Sequence, residues 1–332
     1  MKAIIPLAGK GTRLRPQTHH TPKPLLKVAG KPVLAFILDD LLAVGVSEIV
    51  FVVGHLRDVV EMWIAEEYPD LKAHFVLQEV QDGSARAMAP AEPWVDEEVL
   101  IVFADAVLEV DYGLVRRVGE DVAGIIWAKE VEDYQRFGVI VTNEDGTMSR
   151  IVEKPSEPIS RLANIGLYYV RDHALLFEGI HHTLDRPPGP SGEFYLTDAF
   201  QYMVDRGARI VTAPVEGWWD AGKVETLLET NAHLLERGRG GVDPSAVVDG
   251  ATIVEPVRIE GDVVVKGGRI GPNVTLEKGA RLDSCEVRDS VVGPGARLER
   301  VRLHDSLVGG HAVLRGARGT VFVTDHSVVD VE

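Results

Sequence analysis

The apolar residues follow two different periodicities, one before about residue 232 and another after residue 241. In the first part, short apolar runs that predict strands alternate with helical patterns that have one apolar face. This alternation is typical of a sheet assembled from βαβ units. The predicted strands are Ala3–Leu7, Glu48–Val53, His74–Gln78, Val99–Phe103, Gly124–Ala128, Gly138–Val141, Asn164–Val170 and Arg209–Ala213.

The helical patterns carry apolar residues three or four positions apart, as helices with one buried face do. The last pattern ends in Arg237-Gly238-Arg239-Gly240-Gly241, which indicates a helix end and a linker. We therefore predict a first domain over residues 1–240 and a second domain over residues 241–332. The predicted helices are Pro32–Val44, Arg57–Glu67, Gly83–Ala89, Tyr112–Val118, Asp172–Gly179, Glu193–Asp205 and Lys223–Arg237.

The second part repeats one branched apolar residue every five or six positions, with small residues between them. Such a repeat predicts short strands stacked as the coils of a β-helix that buries a continuous apolar column. At roughly 18 residues per coil, the segment has room for around five coils. It resembles the left-handed β-helix tails of hexapeptide-repeat proteins; a generic all-β domain is the alternative. The repeated residues are Ile253, Ile259, Val265, Ile270, Leu276, Leu282, Val287, Val292, Leu298, Leu303, Val308 and Leu314.

The first 38 residues differ in charge from the rest of the chain. The chain has a formal net charge of −16, yet this stretch contains no Asp or Glu. After the first predicted strand it forms a loop with glycines at positions 9 and 11. A cationic glycine loop at a strand end predicts a site for a highly charged anion such as polyphosphate. An ordinary turn with solvated basic residues is the alternative. The basic residues are Lys2, Lys10, Arg13, Arg15, Lys23, Lys27 and Lys31.

The composition narrows the class of protein. With 45% apolar and 26% charged residues, the chain has the composition of a globular protein. Its negative charge argues against nucleic-acid binding, which usually needs a broad basic face. The one cysteine, Cys285, excludes an internal disulfide and fits a reducing compartment. No apolar run approaches the ~20 residues of a membrane span. We expect a cytoplasmic protein that binds neither nucleic acid nor membrane.

Two common phosphate-binding motifs do not fit the glycine loop. A Walker motif needs a glycine five positions before the Gly-Lys pair, and Ile4 occupies that position. A dinucleotide fingerprint needs a third glycine where this chain has Leu14.

The segment from Ala8 to Pro16 instead resembles the G-x-G-T-R-L-x-P signature of sugar-1-phosphate nucleotidylyltransferases. Lys23-Pro24-Leu25-Leu26 and Lys31-Pro32 follow at that family's spacing. The resemblance extends over about 230 residues in family order, and it is strongest to long-form glucose-1-phosphate thymidylyltransferases and archaeal-type uridylyltransferases. The further motifs are Gln78–Ala85, Phe103–Asp105, Phe137–Val139, Val152–Pro155, Asn164–Gly166, Gly192–Asp198 and Trp218–Gly222.

The resemblance implies a Rossmann-like nucleotidyltransferase domain with a mixed, mostly parallel sheet, followed by a left-handed parallel β-helix. Arg13 is expected to bind the departing pyrophosphate, Lys23 the α-phosphate and Lys154 the sugar phosphate; these are the predicted catalytic residues. For Lys10 and Arg15 a solvated surface charge is an equal alternative. The predicted nucleotide-binding residues are Ala8, Gly9, Lys10, Gly11, Thr12, Arg13, Gln78 and Gly83.

Two carboxylates are the predicted metal ligands. Asp105 and Asp220 each follow an apolar run, and carboxylate oxygens are the ligands that Mg²⁺ prefers. Each could instead cap a turn. Ala104, before the first of them, replaces the glycine that is usual in the family.

Further residues are expected to contact the base of the nucleotide and the sugar phosphate. The amide of Gln78 can pair with the polar edge of a pyrimidine, and the backbone of Gly83 can complete the contact. Thymine and uracil differ by one methyl group, worth about 1 kcal/mol, so both stay open. Glu193 is expected to touch the sugar or to begin a helix. The predicted sugar-phosphate-binding residues are Gly138, Glu153, Lys154, Asn164, Glu193 and Tyr195.

The resemblance thus implies Mg²⁺-dependent transfer of a nucleotidyl group from a nucleoside triphosphate to a sugar 1-phosphate. The leading pair is dTTP with glucose 1-phosphate, and alternatives are UTP with glucose 1-phosphate and GTP with mannose 1-phosphate. A non-catalytic sugar-nucleotide-binding regulatory subunit is a further alternative, as is an acetyltransferase in the tail with His304, His311 or His326 as the base. We also expect a homo-oligomer, with the β-helix as the candidate interface.

Overall fold

The computed structural model describes residues 1–189 and 191–331. Its contacts form two compact units, each made of separate stretches of chain. The first unit is Met1–Lys10, Ile37–Ala104 and Leu108–Trp218; the second is Gly11–Phe36, Asp105–Val107 and Trp219–Glu332. The domain boundary near residue 241 stays a prediction, and residue 332, the last of the predicted second domain, lies outside the described residues.

The strands and helices before the tail follow the predicted alternation closely. The strands are β1 (Lys2–Pro6), β2 (Lys27–Val28), β3 (Lys31–Pro32), β4 (Glu48–Val53), β5 (Lys72–Leu77), β6 (Val99–Val102), β7 (Ala106–Glu109), β8 (Gly124–Glu130), β9 (Gly138–Thr142), β10 (Met148–Glu153), β11 (Leu162–Val170), β12 (Ile210–Pro214) and β13 (Gly217–Asp220). The α-helices are α1 (Val33–Ala43), α2 (Arg57–Glu67), α3 (Ser84–Met88), α4 (His173–Leu184), α5 (Leu196–Asp205) and α6 (Val224–Leu234). Tyr112–Arg116 forms a 3-10 helix where an α-helix was predicted.

The first unit contains a mixed sheet with the order β10-β9-β11-β6-β1-β4-β5, and β8 pairs with both β11 and β12. The strands β6, β1, β4 and β5 run parallel to one another, whereas β11 runs antiparallel to β6 and β8. All six residues of β4 are buried. The apolar run Ile49–Val53 predicts this burial for a central strand, and Glu48 is the one charged residue, at the start of the strand. These observations confirm the predicted mixed α/β fold.

One predicted helix boundary is wrong in a way that matters for the site. Helix α5 begins at Leu196, not at Glu193. The residues before it run alongside another loop, since the backbone N–H of Phe194 donates to Asp82 (2.8 Å) and its carbonyl accepts from Ala85 (2.9 Å). The carbonyl of Phe194 thus pairs with Ala85, whereas in a helix that began at Glu193 it would accept from the N–H of Asp198.

The tail of the second unit consists of stacked parallel strands that form two sheets. Leu282 pairs in register with Val265 and with Leu298, so each coil places an equivalent apolar residue above the last. The predicted apolar column is confirmed: its members are buried in one cluster, with Ile253 partly buried at its edge. The strands are β14 (Gly241–Val242), β15 (Val247–Asp249), β16 (Thr252–Ile253), β17 (Val257–Ile259), β18 (Val264–Ile270), β19 (Val274–Leu276), β20 (Arg281–Arg288), β21 (Val291–Val292), β22 (Arg297–Glu299), β23 (Arg302–His304), β24 (Leu307–Val308), β25 (Val313–Arg315), β26 (Arg318–Gly319), β27 (Phe322–Val323) and β28 (Val328–Asp330).

The second unit also contains Gly11–Phe36, which we call the N-terminal segment. Its regular structure is limited to three 3-10 turns, the short strands β2 and β3 and the start of α1. Buried residues of this segment, of α6 and of the β-helix form one apolar cluster. The segment therefore takes its shape largely from what it packs against.

None of the helices in the described residues has the length and apolar character that a membrane crossing requires.

A buried carboxylate lies at the start of β4 in the first unit. The side chain of Glu48 accepts hydrogen bonds from Lys72 and from the ring of His74 (2.5 Å), and the ammonium of Lys2 lies 3.7 Å away. The hydrogen bond from Lys72 holds the pKa of Glu48 below its ordinary value. The native state therefore favours the ionised form of this group.

We predict that Glu48→Gln lowers the free energy of unfolding at pH 7 by about 1 to 2 kcal/mol, because the amide loses charge-assisted hydrogen bonds. Because the native pKa is lowered, the contribution of Glu48 is present above the pKa of the unfolded chain and is lost as the pH falls through the native pKa. In urea unfolding, the free energies of the wild type and of Glu48→Gln should therefore differ less at pH 4 than at pH 7. Glu61→Gln, which removes an exposed i,i+4 pair with Arg57, is the control and should change little. An equal effect of both variants would contradict the prediction.

Candidate active site

The glycine loop begins in the first unit, directly after β1. Ala8 is buried and its carbonyl accepts from Nε2 of Gln81 (2.6 Å), whereas Gly9 and Lys10 are exposed. A Cβ atom added to Gly9 would meet no atom within 4 Å, so the space beside it is open. The backbone N–H groups here are therefore accessible to a ligand such as phosphate.

The loop continues in the second unit with a glycine that the backbone requires. Gly11 has a φ of +58°, and a Cβ atom there would lie 3.0 Å from Cγ2 of Thr18 and 3.2 Å from Cβ of Lys23. The hydroxyl of Thr18 donates to the carbonyl of Gly11 (2.8 Å) and closes the loop. Only glycine tolerates both the left-handed backbone and this close approach.

The 3-10 turn Thr12–Leu14 follows and separates buried from exposed side chains. Leu14 is completely buried, whereas Thr12, Arg13 and Arg15 are exposed. Within the described part of the chain, the guanidinium of Arg13 forms no ion pair. The turn thus presents an uncompensated cation on a fixed backbone, as a pyrophosphate site requires.

The two predicted metal ligands are neighbours in the second unit. The backbone N–H of Ala221 donates to the carbonyl of Asp105 (2.8 Å), which brings the two carboxylate-bearing stretches together. One oxygen of Asp105 lies 3.4 Å from the ammonium of Lys23, and its side chain is 49% exposed. The cation and the carboxylate therefore converge on an accessible position.

Asp220, the last residue of β13, is held by the turn that follows it and by α6. Its Oδ1 accepts from the backbone N–H of Gly222 (2.9 Å), and its Oδ2 accepts from the hydroxyl of Thr226 (3.1 Å). The hydroxyl of Thr230 donates to the backbone carbonyl of Asp220 (3.1 Å). These contacts orient the carboxylate before any ligand is bound, as outer-shell hydrogen bonds do at metal sites.

The donor set fits magnesium. In residues 1–189 and 191–331, no group of three or more His, Cys, Asp or Glu side chains is placed to hold a metal. Mg²⁺ needs no such cage, since it usually takes one or two carboxylates and completes its shell with water and substrate phosphates. The Ala104 that replaces a glycine is also tolerated, because it is not among the residues with positive φ.

The predicted base-recognition segment lies in the first unit. Gln78 is 8% exposed, and its amide donates to the carbonyl of Val80 (3.0 Å). Gly83 has a φ of +133°, and a Cβ atom there would lie 2.2 Å from the carbonyl oxygen of Phe194. The glycine is therefore required for the packing of two backbone segments, a role that its motif alone did not reveal.

The six predicted sugar-phosphate residues all lie in the first unit, and the structure links them by contacts. The amide of Asn164 donates to the carbonyl of Gly138 (2.8 Å), and a Cβ atom on Gly138 would collide with Asn164 and Glu153. The hydroxyl of Thr197 donates to Glu153 (3.3 Å). Because Gly138 has no Cβ atom, the side chains of Asn164 and Glu153 can lie close to its backbone.

Lys154 is the cation of this cluster. Its ammonium lies 3.6 Å from Glu193, 3.9 Å from Glu153 and 5.1 Å from the ring centroid of Tyr195. Its backbone has a φ of +43°, which is strained for a residue with a Cβ. Burial raises the pKa of Glu153, and Lys154 opposes that shift. A strained, partly exposed lysine between carboxylates is typical of a ligand-binding position.

Four polar residues that support the site were not singled out from the sequence. Gln81 and Thr18 fix the two halves of the glycine loop, Thr226 orients Asp220 and Thr197 holds Glu153. Gln81 and Thr197 lie inside motifs that carry the resemblance, so proximity in sequence could have suggested them. Thr18 and Thr226 lie outside those motifs, and no motif spacing encodes their contacts with Gly11 and Asp220.

The histidines of the tail have local partners. The ring of His304 lies 2.8 Å from Asp305, and the rings of His311 and His326 stack with centroids 5.2 Å apart. These contacts leave the tail acetyltransferase as an untested alternative.

Comparison with known proteins agrees with the geometry. A family model described as nucleotidyl transferase matches residues 2–237. A glucose-1-phosphate thymidylyltransferase of Streptomyces antibioticus is 34% identical over 89% of this chain and 81% of its own. A UTP–glucose-1-phosphate uridylyltransferase of Haloferax volcanii, AglF, is 32% identical over 71% of this chain and 97% of its own.

The low-salt glycan biosynthesis nucleotidyltransferase Agl11 of Haloferax volcanii is 35% identical over 75% of this chain and 71% of its own. A solved UDP-glucose pyrophosphorylase in complex with UDP-glucose has the same fold, with a TM-score of 0.63 at 24% identity over 71% of this chain and 98% of its own. The match over most of the chain, together with the glycine loop and the paired aspartates, shows that this protein belongs to the nucleotidyl transferase family.

Proposed function

We propose that this chain joins a nucleoside triphosphate to a sugar 1-phosphate and releases pyrophosphate. The observation that carries the proposal is the convergence of Lys23, Asp105 and the oriented carboxylate of Asp220 in one unit. The two carboxylates would hold Mg²⁺, and Mg²⁺ together with Lys23 would neutralise the negative charge that builds up at an α-phosphate. Two of the relatives described above are named for glucose 1-phosphate, which supports the choice of acceptor.

In the proposed reaction an oxygen of the sugar phosphate attacks the α-phosphorus, and the bond from that phosphorus to the bridging oxygen of the β-phosphate breaks. The electron pair leaves with pyrophosphate, so no covalent enzyme intermediate is needed. Arg13 would neutralise the leaving pyrophosphate and Lys23 the α-phosphate. Mg²⁺ would be held by Asp105 and Asp220 and would supply further charge neutralisation.

The first unit would bind the sugar 1-phosphate. Lys154 would bind the phosphate, and the oxygens of Glu153 and Glu193 would accept hydrogen bonds from sugar hydroxyl groups. Their ion pairs with Lys154 show that the three side chains share one surface. The carboxylates also orient the ammonium, which lowers the cost of ordering it when the substrate binds.

For the nucleotide we propose dTTP, with glucose 1-phosphate as the sugar. The thymidylyltransferase of Streptomyces antibioticus supports this choice, since it aligns over more of the chain than the uridylyltransferase does. UTP is the alternative, and GTP with mannose 1-phosphate is a more distant one. One methyl group distinguishes dTTP from UTP at the base, so an assay must decide.

A regulatory subunit without catalysis is the competing proposal. It would be expected to lack one of the charged groups that act on the phosphates or the metal, and here Arg13, Asp105, Lys154 and Asp220 are all present. The homo-oligomer, its interface on the β-helix and the cytoplasmic location remain predictions.

A pyrophosphate-release assay over a grid of four nucleoside triphosphates and several sugar 1-phosphates tests the activity. We expect release with Mg²⁺ and a pyrimidine nucleotide, with dTTP and glucose 1-phosphate giving the highest kcat/KM. No release from any pair would reject the enzyme and favour the regulatory subunit. Acetyl-CoA turnover on an amino-sugar phosphate would establish the tail activity as an addition.

Asp105→Asn and Asp220→Asn are each expected to lower kcat by about 100-fold or more, because an amide cannot replace a charged metal ligand. Circular dichroism and the melting temperature should stay close to those of the wild type. Asp198→Asn is the matched control, since Asp198 forms part of a motif but has no predicted metal role. Near-normal turnover of either variant would remove that residue from the metal site.

Because burial raises the pKa of Glu153, its carboxylate should become protonated at a higher pH than an ordinary glutamate does. Once the pH falls below that pKa, the KM for the sugar 1-phosphate should rise by up to about tenfold per pH unit. Glu153→Gln should raise the KM at neutral pH and remove this dependence. The ratio of the two enzymes' KM values cancels the ionisation of the substrate itself. A ratio that does not change with pH would contradict the role of Glu153.

A further inference from the structure

The N-terminal segment carries Arg13 and Lys23 but has few backbone hydrogen bonds of its own. A segment with so little regular structure is ordered only if side chains outside it hold it in place. The second unit shows four separate contacts that do so, and all of them lead to the β-helix.

The first contact is apolar. Leu14 and Val28 are completely buried in the same cluster as Val291 and Leu307, which belong to coils of the β-helix. Leu14 directly follows Arg13, so burial of one side chain fixes the backbone of the other. Full burial of a leucine is a substantial favourable contribution to the order of a short turn.

The second contact is a buried amide. Gln17 is 6% exposed, and its Nε2 donates to the backbone carbonyls of Leu307 (3.2 Å) and Val323 (3.4 Å). These carbonyls belong to strands of two successive coils, β24 and β27, which pair in register. One glutamine side chain of the N-terminal segment therefore contacts two successive coils of the β-helix.

The third contact passes through α6. Asn231 is completely buried, and its Oδ1 accepts from the backbone N–H of Ala29 (2.9 Å) and from the hydroxyl of Thr275 (2.7 Å). Its Nδ2 donates to the carbonyl of Asn273 (3.3 Å). Ala29 has a φ of +48°, so its backbone needs such an external hold.

The fourth contact is an ion pair. The ammonium of Lys27 lies 2.9 Å from a carboxylate oxygen of Glu277, whose side chain is 8% exposed. A buried charge is costly unless its partner stays in place, so the pair resists displacement of the segment.

We propose that the β-helix is the element that positions the pyrophosphate-binding residues, and that Gln17, Asn231 and Thr275 are positioning residues for Arg13 and Lys23. The β-helix would then act in the nucleotidyl transfer itself and would be more than an interface or a separate module. The identity of the bound anion rests on the proposed function, whereas the anchoring of the segment does not.

Weaker anchoring of the N-terminal segment should affect the binding of the two substrates unequally. Weaker anchoring should reduce affinity for the anion that Arg13 and Lys23 bind, because each cation must then be ordered on binding. It should affect the sugar 1-phosphate much less, since Lys154 and Glu153 belong to the other unit. A general loss of stability would instead weaken the binding of the anion and of the sugar 1-phosphate alike.

The test uses the full chain with Gln17→Leu, which replaces the amide with an apolar side chain of similar size. Thr275→Val is the second variant, since it removes one hydroxyl donor to Asn231 and keeps the shape of the side chain. Cys285→Ala is the matched control: Cys285 is completely buried in β20, in the β-helix sheet that does not contain β19, β24 or β27. It should lower the melting temperature without disturbing the N-terminal segment.

Three measurements apply to each protein: hydrogen exchange of peptides covering residues 11–36, affinity for inorganic pyrophosphate with Mg²⁺ by calorimetry, and KM values for both substrates. We expect Gln17→Leu and Thr275→Val to speed exchange in these peptides and to weaken pyrophosphate binding about fivefold, the effect of one lost hydrogen bond. The KM for the sugar 1-phosphate should change less than twofold. Cys285→Ala should leave exchange and binding at wild-type values.

Wild-type exchange and pyrophosphate affinity in both anchoring variants would overturn the proposal while leaving the enzyme intact. An equal effect of Cys285→Ala would also overturn it, because general destabilisation would then account for the result. If the wild type itself bound no pyrophosphate and turned over no substrate, the proposed function would be wrong, and hydrogen exchange alone would then decide whether the β-helix anchors the segment.

Discussion

The second unit depends on a buried side-chain amide that must keep its hydrogen bonds. Asn231 is completely buried, and a polar group in that position destabilises the fold unless each partner stays in place. Its partners come from the N-terminal segment and from the β-helix, and Asn231 itself belongs to α6. Three stretches that are far apart in sequence are therefore fixed by one residue.

The same helix carries the contacts that orient a candidate metal ligand. Thr226 and Thr230 lie on α6 and hold the carboxylate and the carbonyl of Asp220. The helix that orders the N-terminal segment thus also orders a candidate metal ligand. This arrangement explains why the N-terminal segment can expose Arg13 on a turn with little regular structure and still keep it in place.

In the first unit, a lysine lies between two carboxylates. The side chain of Lys154 is 44% exposed, and it projects from a strained backbone position. Glu153 and Glu193 compensate its charge at 3.9 and 3.6 Å, while burial disfavours the ionised form of Glu153. Burial and Lys154 thus act in opposite directions on the pKa of Glu153, and in the proposed function a bound phosphate would share Lys154 with the two carboxylates.

The sequence by itself determined the local features of this protein. Residue type and spacing predict strands such as Glu48–Val53, the apolar column of the tail, the glycine loop and the two aspartates at strand ends. An apolar run, a period of five or six residues and a strand end are all local properties of the sequence. The resemblance carried the family, which the comparisons confirm.

Only the tertiary structure decided which of these features act together. The fully buried Asn231, the partners of Gln17 and the collision that reserves position 83 for glycine all join residues about 100 to 300 positions apart or on separate elements. No periodicity encodes such contacts, because they arise when buried polar groups find partners as the chain packs. The tail could be predicted from its sequence as a β-helix, but its contacts with the N-terminal segment became visible only in the folded chain.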